Sequence, residues 1–169
     1  MNFLDQNSGW LGLPPESSWE VKNDLSDPNP FVEYRKLLWS YHLATTKGMT
    51  DQDFLNVVKN LDEAVSEIET IGFQETPLVL LSELSEAIGQ NGGIWAKNET
   101  VNVSGSHKAR HLFGLAIRLE LEEVSKNTPL TIASCGNAAL AASVIAKAAK
   151  RTLTVNVPTW AETSLLDEL

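Results

Sequence analysis

Residues 102–111 read Asn-Val-Ser-Gly-Ser-His-Lys-Ala-Arg-His, a run of small residues that leads into a cluster of cations. From Thr100 to Leu119 there is no Asp or Glu, while the same window holds His107, Lys108, Arg110, His111 and Arg118. A small-residue turn that opens a helix presents free backbone N–H groups, and these favour an anion such as phosphate. Lys108 falls in the first turn of that helix, where the positive end of the helix dipole disfavours a cation. An amine in such a place can serve as a nucleophile, and a solvated lysine is the plainer alternative. The run is not a P-loop, because the pattern Gly-x-x-x-x-Gly-Lys-Ser/Thr is absent. Nor is it Ser-x-x-Lys, since His107 stands three residues after Ser104.

A second constellation is Ser134-Cys135-Gly136-Asn137, a turn between an apolar run and a helix of small residues. Ligands of open parallel sheets bind beyond the carboxyl ends of strands, where this turn falls. Gly136 permits a tight bend, Asn137 offers both a donor and an acceptor, and the helix start attracts a carboxylate. An asparagine cap on an ordinary turn explains the same residues without a ligand. Cys135 has no histidine near it in sequence, so a small structural cysteine is the simpler reading than a nucleophile. His42 lies on an amphipathic helix and reads as packing or surface.

The elements that must hold these turns follow from periodicity. Residues 1–30, with Pro14-Pro15 and Asp-Pro-Asn-Pro at 27–30, read as an irregular arm, which Trp10 and Trp19 would dock on the body. A helix is expected over 32–45. A clearer one runs from Phe54 to Ile71, with Thr50 and Asp53 as its capping box and Gly72 as its stop. After Gly72, strands at 78–81, 93–99, 128–135 and 152–158 are separated by helices at 82–89, 106–124 and 137–150. Strands alternating with helices predict βαβ units, hence an α/β, three-layer αβα fold with a mainly parallel sheet. The division expected is 1–72, an arm plus two helices, and 73–169, an α/β domain.

Bulk composition narrows the function classes. The 169 residues are 43% hydrophobic with net charge −9, enough apolar content for one ordinary core. Residues 1–99 carry −10, residues 100–161 carry +4, and the last eight residues carry −3. The acidic balance argues against nonspecific nucleic-acid binding, and the positive stretch within it favours a small anionic ligand. No apolar run is long enough to span a bilayer, and the start lacks a signal-peptide layout, so a cytoplasmic protein with no membrane partner is expected. A single cysteine excludes an intrachain disulfide and a multi-cysteine zinc site. The sequons at Asn98 and Asn102 then read as coincidence. No Gly-x-Gly-x-x-Gly follows a predicted strand, which weakens a dinucleotide-binding reading.

Taken together and in order, residues 76–84 (TPLVLLSEL), 94–111 (IWAKNETVNVSGSHKARH), 134–143 (SCGNAALAAS) and 155–158 (VNVP) resemble the fold type II pyridoxal-phosphate-dependent enzymes. Among them the lysine segment is most similar to threonine synthase-like members, with Val103-Ser104 in place of Pro-Thr and His107 in place of Phe. A histidine before the lysine also resembles the tryptophan synthase β subunit. The resemblance implies pyridoxal 5′-phosphate as cofactor, with Lys108 its covalent anchor through the side-chain amine. Asn137 would bond the 3′-oxygen of the cofactor, and Ser106 and His107 would lie beside it. Ser134, Cys135 and Gly136 would receive the carboxylate of a small-molecule amino-acid substrate. The activity implied is a lyase, by β- or γ-elimination or replacement on an amino acid or its O-phospho derivative. The relatives commonly form homodimers and are roughly twice as long. Their glycine-rich phosphate loop and the partner of the pyridine nitrogen come later in sequence, so an N-terminal fragment, weakly active or inactive alone, is expected. A noncatalytic α/β module that holds a small anion in the turns at 104–107 and 134–137 is the alternative.

Overall fold

A computed structural model of the chain describes residues 27–169. The docking expected of Trp10 and Trp19, and nearly all of the arm, lie outside the described residues. At the arm's end, Asn29 opens a short helix α1 (Pro30–Glu33): its side-chain oxygen accepts the Phe31 N–H at 2.8 Å, and Pro30 takes the first helical position.

The helix expected over 32–45 is broken. Arg35–Leu37 forms a single 3-10 turn, Leu38 is extended, and helix α2 spans Trp39–Thr46. At the break Arg35 turns inward. It donates to the Asp51 carboxylate at 2.7 and 3.0 Å and to the Val32 carbonyl at 3.0 Å. The Arg35 hydrogen bonds hold the Asp51 carboxyl below its ordinary range, and burial together with Asp51 pushes the Tyr41 phenol up. Helix α3 (Asp51–Glu69) starts at the expected capping box of Thr50 and Asp53, and buries the stripe Phe54, Val58, Leu61, Val65.

Gly72 is not the stop of α3. Thr70 takes the left-handed conformation at φ 64°, and the helix ends there. Gly72 is required by space instead. A Cβ on it would lie 2.8 Å from the Asp62 carboxylate. That carboxylate accepts the Phe73 N–H at 2.7 Å and an Asn29 amide N–H at 2.8 Å, and burial pushes its carboxyl group up.

Strand β1 (Leu78–Leu80), helix α4 (Ser82–Ala87) and strand β2 (Trp95–Lys97) do not form the expected βαβ unit. β1 and β2 pair antiparallel, Leu78 opposite Lys97 and Leu80 opposite Trp95. Left-handed turns at Gly89 and Gly93 send the chain back beside β1 in the opposite direction. Helix α5 (Lys108–Leu121), strand β3 (Leu130–Ala133), helix α6 (Asn137–Ala148) and strand β4 (Leu153–Asn156) do form one, with β3 parallel to β4 and Leu130 opposite Leu153. Helix α7 (Thr163–Glu168) follows. The fold is α/β, but among the described residues its strands make two two-stranded sheets rather than one mainly parallel sheet. The run at 128–135 reads in sequence as a buried strand, but exposure alternates along both β3 and β4, because α6 packs on them while among the described residues no second layer does.

One hydrophobic core joins the N-terminal helices to the α/β segment. The rings of Phe31, Phe73 and Phe113 meet at 4.3–5.4 Å between centroids, and Phe54, Val58, Ile117, Ala141 and Ile145 continue the cluster. Among the described residues no helix is long and apolar enough to cross a membrane, and no cluster of side chains could hold a metal ion.

Candidate functional site

The loop that leads to Lys108 is shaped by its own polar groups. Asn98 Oδ1 accepts the Thr100 N–H and hydroxyl at 3.1 and 2.7 Å, and the Asn102 N–H reaches the Glu99 carbonyl at 3.1 Å. Val103, fully buried, pins the loop to the core. Ser104 and Gly105 then both take left-handed backbone, at φ 52° and 65°. The Ser104 N–H is held by the carboxylate of Glu69, the last residue of α3, at 3.2 Å. Asn102 Nδ2 donates to the Ser106 carbonyl at 2.8 Å, and Ser106 Oγ accepts the Lys108 N–H at 3.3 Å. His107 is the N-cap residue of the helix that begins at Lys108, and its own side chain makes no capping hydrogen bond.

Lys108 is exposed, and its amine has no hydrogen-bond or ion-pair partner among the described residues. It stands at one end of a cleft of about 460 Å³ between α5, α6, β3 and β4. The α5 wall is His111, Leu112, Leu115, Ala116 and Leu119, and Ala138 begins the α6 wall. The size and apolar lining suit a small-molecule site with few polar groups.

The second turn is only partly drawn to this cleft. Helix α6 packs against α5 and against the 103–105 turn, and Ala138, one residue past Asn137, lines the cleft with Lys108. Asn137 is the first residue of α6 and is exposed. Ser134 continues the parallel ladder by donating its N–H to the Asn156 carbonyl at 3.1 Å. Gly136 has extended backbone that any residue adopts, and a Cβ on it would meet nothing within 4 Å. The chain's own packing therefore does not demand glycine there. Cys135 is exposed and lines a separate recess of about 350 Å³ with Leu140, Trp160 and Glu162. No hydrogen bond joins Lys108 to residues 134–137 among the described residues.

Two residues of the cleft escaped the sequence reading. His111, rather than His107, lines it beside Lys108, and Arg151 lines its far end. The i, i+3, i+4 stripe 108, 111, 112, 115, 116, 119 marks His111 in the sequence. Nothing local marks Arg151. Its guanidinium is spent on Glu120 at 3.0 Å and on the Val124 and Ser125 carbonyls at 2.9 and 3.0 Å, so it is a structural tie.

In this α/β unit a lysine that opens a helix, behind a small-residue loop, lines an apolar cleft. A family model for pyridoxal-phosphate-dependent enzymes matches residues 70–169, and the chain belongs to that family. No curated protein and no solved structure matches the chain. The residues present fit this cofactor. A primary amine without a carboxylate partner suits its aldehyde, and the unfilled space above Gly136 leaves room for a close ligand approach. Two buried acceptors near the lysine, Asn102 Oδ1 and Ser104 Oγ, have no hydrogen-bond partner among the described residues.

Proposed function

We propose that the chain carries the lysine half of a pyridoxal-phosphate-dependent lyase, threonine synthase-like, that acts on an amino acid or its O-phospho derivative by β- or γ-elimination or replacement. The observation that carries this reading is Lys108, which lines the cleft with its amine unpartnered among the described residues, within the segment that matches the family. That match also disfavours a noncatalytic anion-binding module. On this reading, β3 and β4 are part of a larger, mainly parallel three-layer sheet.

Bound pyridoxal phosphate supplies an aldehyde for an amine and a conjugated ring that takes up the electron pair left at Cα. The protein's part is anchoring, orientation and proton movement. Lys108 Nζ would hold the cofactor, and its amine, when free, would take the proton from the substrate Cα as the β or γ substituent leaves with its bonding electron pair; in a replacement it would return that proton to carbon after the incoming nucleophile has added. Asn137 would hold the 3′-oxygen, with Ser106 and His107 close by. The N–H groups at the start of α6, with Ser134, Cys135 and Gly136, receive the substrate carboxylate. The apolar walls of the cleft would limit the water that reaches the reacting carbon.

Deuterium incorporation at Cα tests this reading. With pyridoxal phosphate in deuterated water, the chain should exchange the Cα proton of a hydroxy-amino acid or its O-phospho derivative, and Lys108→Ala should lose the catalysis. Equal exchange by Lys108→Ala would remove Lys108 from the chemistry.

A further inference from the structure

Arg110, two residues after Lys108, does not line the cleft, and its guanidinium is committed elsewhere. Nε donates to Glu99 Oε2 at 2.8 Å, and Nη2 reaches Glu99 Oε1 at 3.3 Å. Nη2 also approaches the Thr76 hydroxyl at 3.2 Å and the Gln74 carbonyl at 3.1 Å. The Thr76 hydroxyl donates to Glu99 in turn, and the Lys97 ammonium donates to the Thr76 carbonyl. Thr76 is buried, and the Arg110 and Glu99 side chains are only 24% and 15% exposed. This network joins three segments: residues 74–76 before β1, residues 97–99 at the end of β2, and the first turn of α5.

Its position in the chain gives it a second consequence. Glu99 and Arg110 stand at the two ends of the loop that contains Asn102, Ser104, Ser106 and Lys108, so their contact closes that loop. Closing it removes freedom from every residue between. The Lys108 amine has no polar partner among the described residues, and the hydrogen bond from its backbone N–H to Ser106 Oγ is long at 3.3 Å. The Arg110 fork is thus the strongest directional contact on the first turn of α5. Glu99 is held as a carboxylate. Burial works to raise it, but the hydrogen bonds from Arg110 and Thr76 and the charges of Arg110 and Lys97 outweigh burial and leave it lowered.

We propose that Arg110 is a positioning residue: through Glu99 and Thr76 it clamps the start of α5 to the chain beside the β1–β2 pair and fixes Lys108 in the wall of the cleft. This rests on the reading of Lys108 as the cofactor anchor. A lysine at 110 would keep the charge but cannot span both Glu99 oxygens and Thr76, so charge alone does not reproduce the clamp.

The test uses the full chain, pyridoxal 5′-phosphate and borohydride, followed by peptide mass mapping. The readout is the ratio of adduct on Lys108 to adduct on Lys147 and Lys150, two exposed lysines outside the network that serve as controls within the same molecule. Wild type should favour Lys108. Arg110→Met should lower the ratio by about tenfold or more, since ångström-scale misplacement of a reacting group carries a penalty of that order. Arg110→Lys should not restore it, and Glu99→Gln, which keeps the side-chain shape, should lower it in the same direction in protein that melts cooperatively. An unchanged ratio in folded Arg110→Met or Glu99→Gln, or full rescue by Arg110→Lys, would overturn the positioning role and leave the anchor reading standing. No preference for Lys108 in wild type would instead sink the anchor reading, and the clamp with it.

Discussion

Ser104 occupies left-handed backbone at φ 52°, which costs a residue with a side chain about 1 kcal/mol, and its Oγ is buried without a partner among the described residues. Both features lie in the loop before Lys108, where strain is expected to serve a site rather than the fold. Ser104→Gly removes the backbone penalty and the unpaired hydroxyl together. It should raise stability by about 1 kcal/mol in a urea titration, less the added freedom of glycine in the unfolded chain. Glu99 gives a pH dependence. Its folded-state carboxyl lies below the ordinary value, so its contribution to stability is complete above the unfolded value, about 4.3, and is lost as pH falls through the lower, folded one. Thermal melts of Glu99→Gln should therefore lose part of the acid decline seen in wild type, and an identical decline would remove Glu99 from the account.

At the scale of elements, Gly72 shows how a correct residue can be read for the wrong reason. A Cβ there would meet the Asp62 carboxylate, which is fixed by Phe73 and Asn29. Gly72→Ala should therefore cost about 1–3 kcal/mol, the range for overpacking, measured by chemical denaturation; a neutral effect would mean that Asp62 is free to move. Helix α3 was legible because its apolar stripe and capping box are local. The lysine and asparagine turns were legible because small residues before a helix are also a local signal. The direction of β2 against β1 was not, since two short apolar runs carry no record of parallel or antiparallel pairing. Nor was the break at Arg35 legible, because its partner Asp51 lies on the next helix. The clamp was hidden for a similar reason: Arg110 was visible as a cation, but Thr76 and Gln74 reach it only through the fold.

At the scale of the whole molecule, the aromatic cluster of Phe31, Phe73 and Phe113 links the N-terminal helices, the segment before β1 and the lysine helix. Phe113 is fully buried in the helix that begins at Lys108. Phe113→Ala should cost about 3–5 kcal/mol, in one cooperative transition because the core is shared. Two separate transitions in wild type would show that residues 27–72 and the α/β segment fold independently. The charge map fits the same picture: in an acidic chain, residues 100–119, which include the loop before Lys108, carry no Asp or Glu. The most direct measurement is the visible absorption of pyridoxal phosphate titrated with wild-type chain and with Lys108→Ala. With Lys108 as the covalent anchor, a new band should appear with wild type, saturate at one cofactor per chain and be absent with Lys108→Ala. A band of the same size and stoichiometry in both proteins would contradict that role.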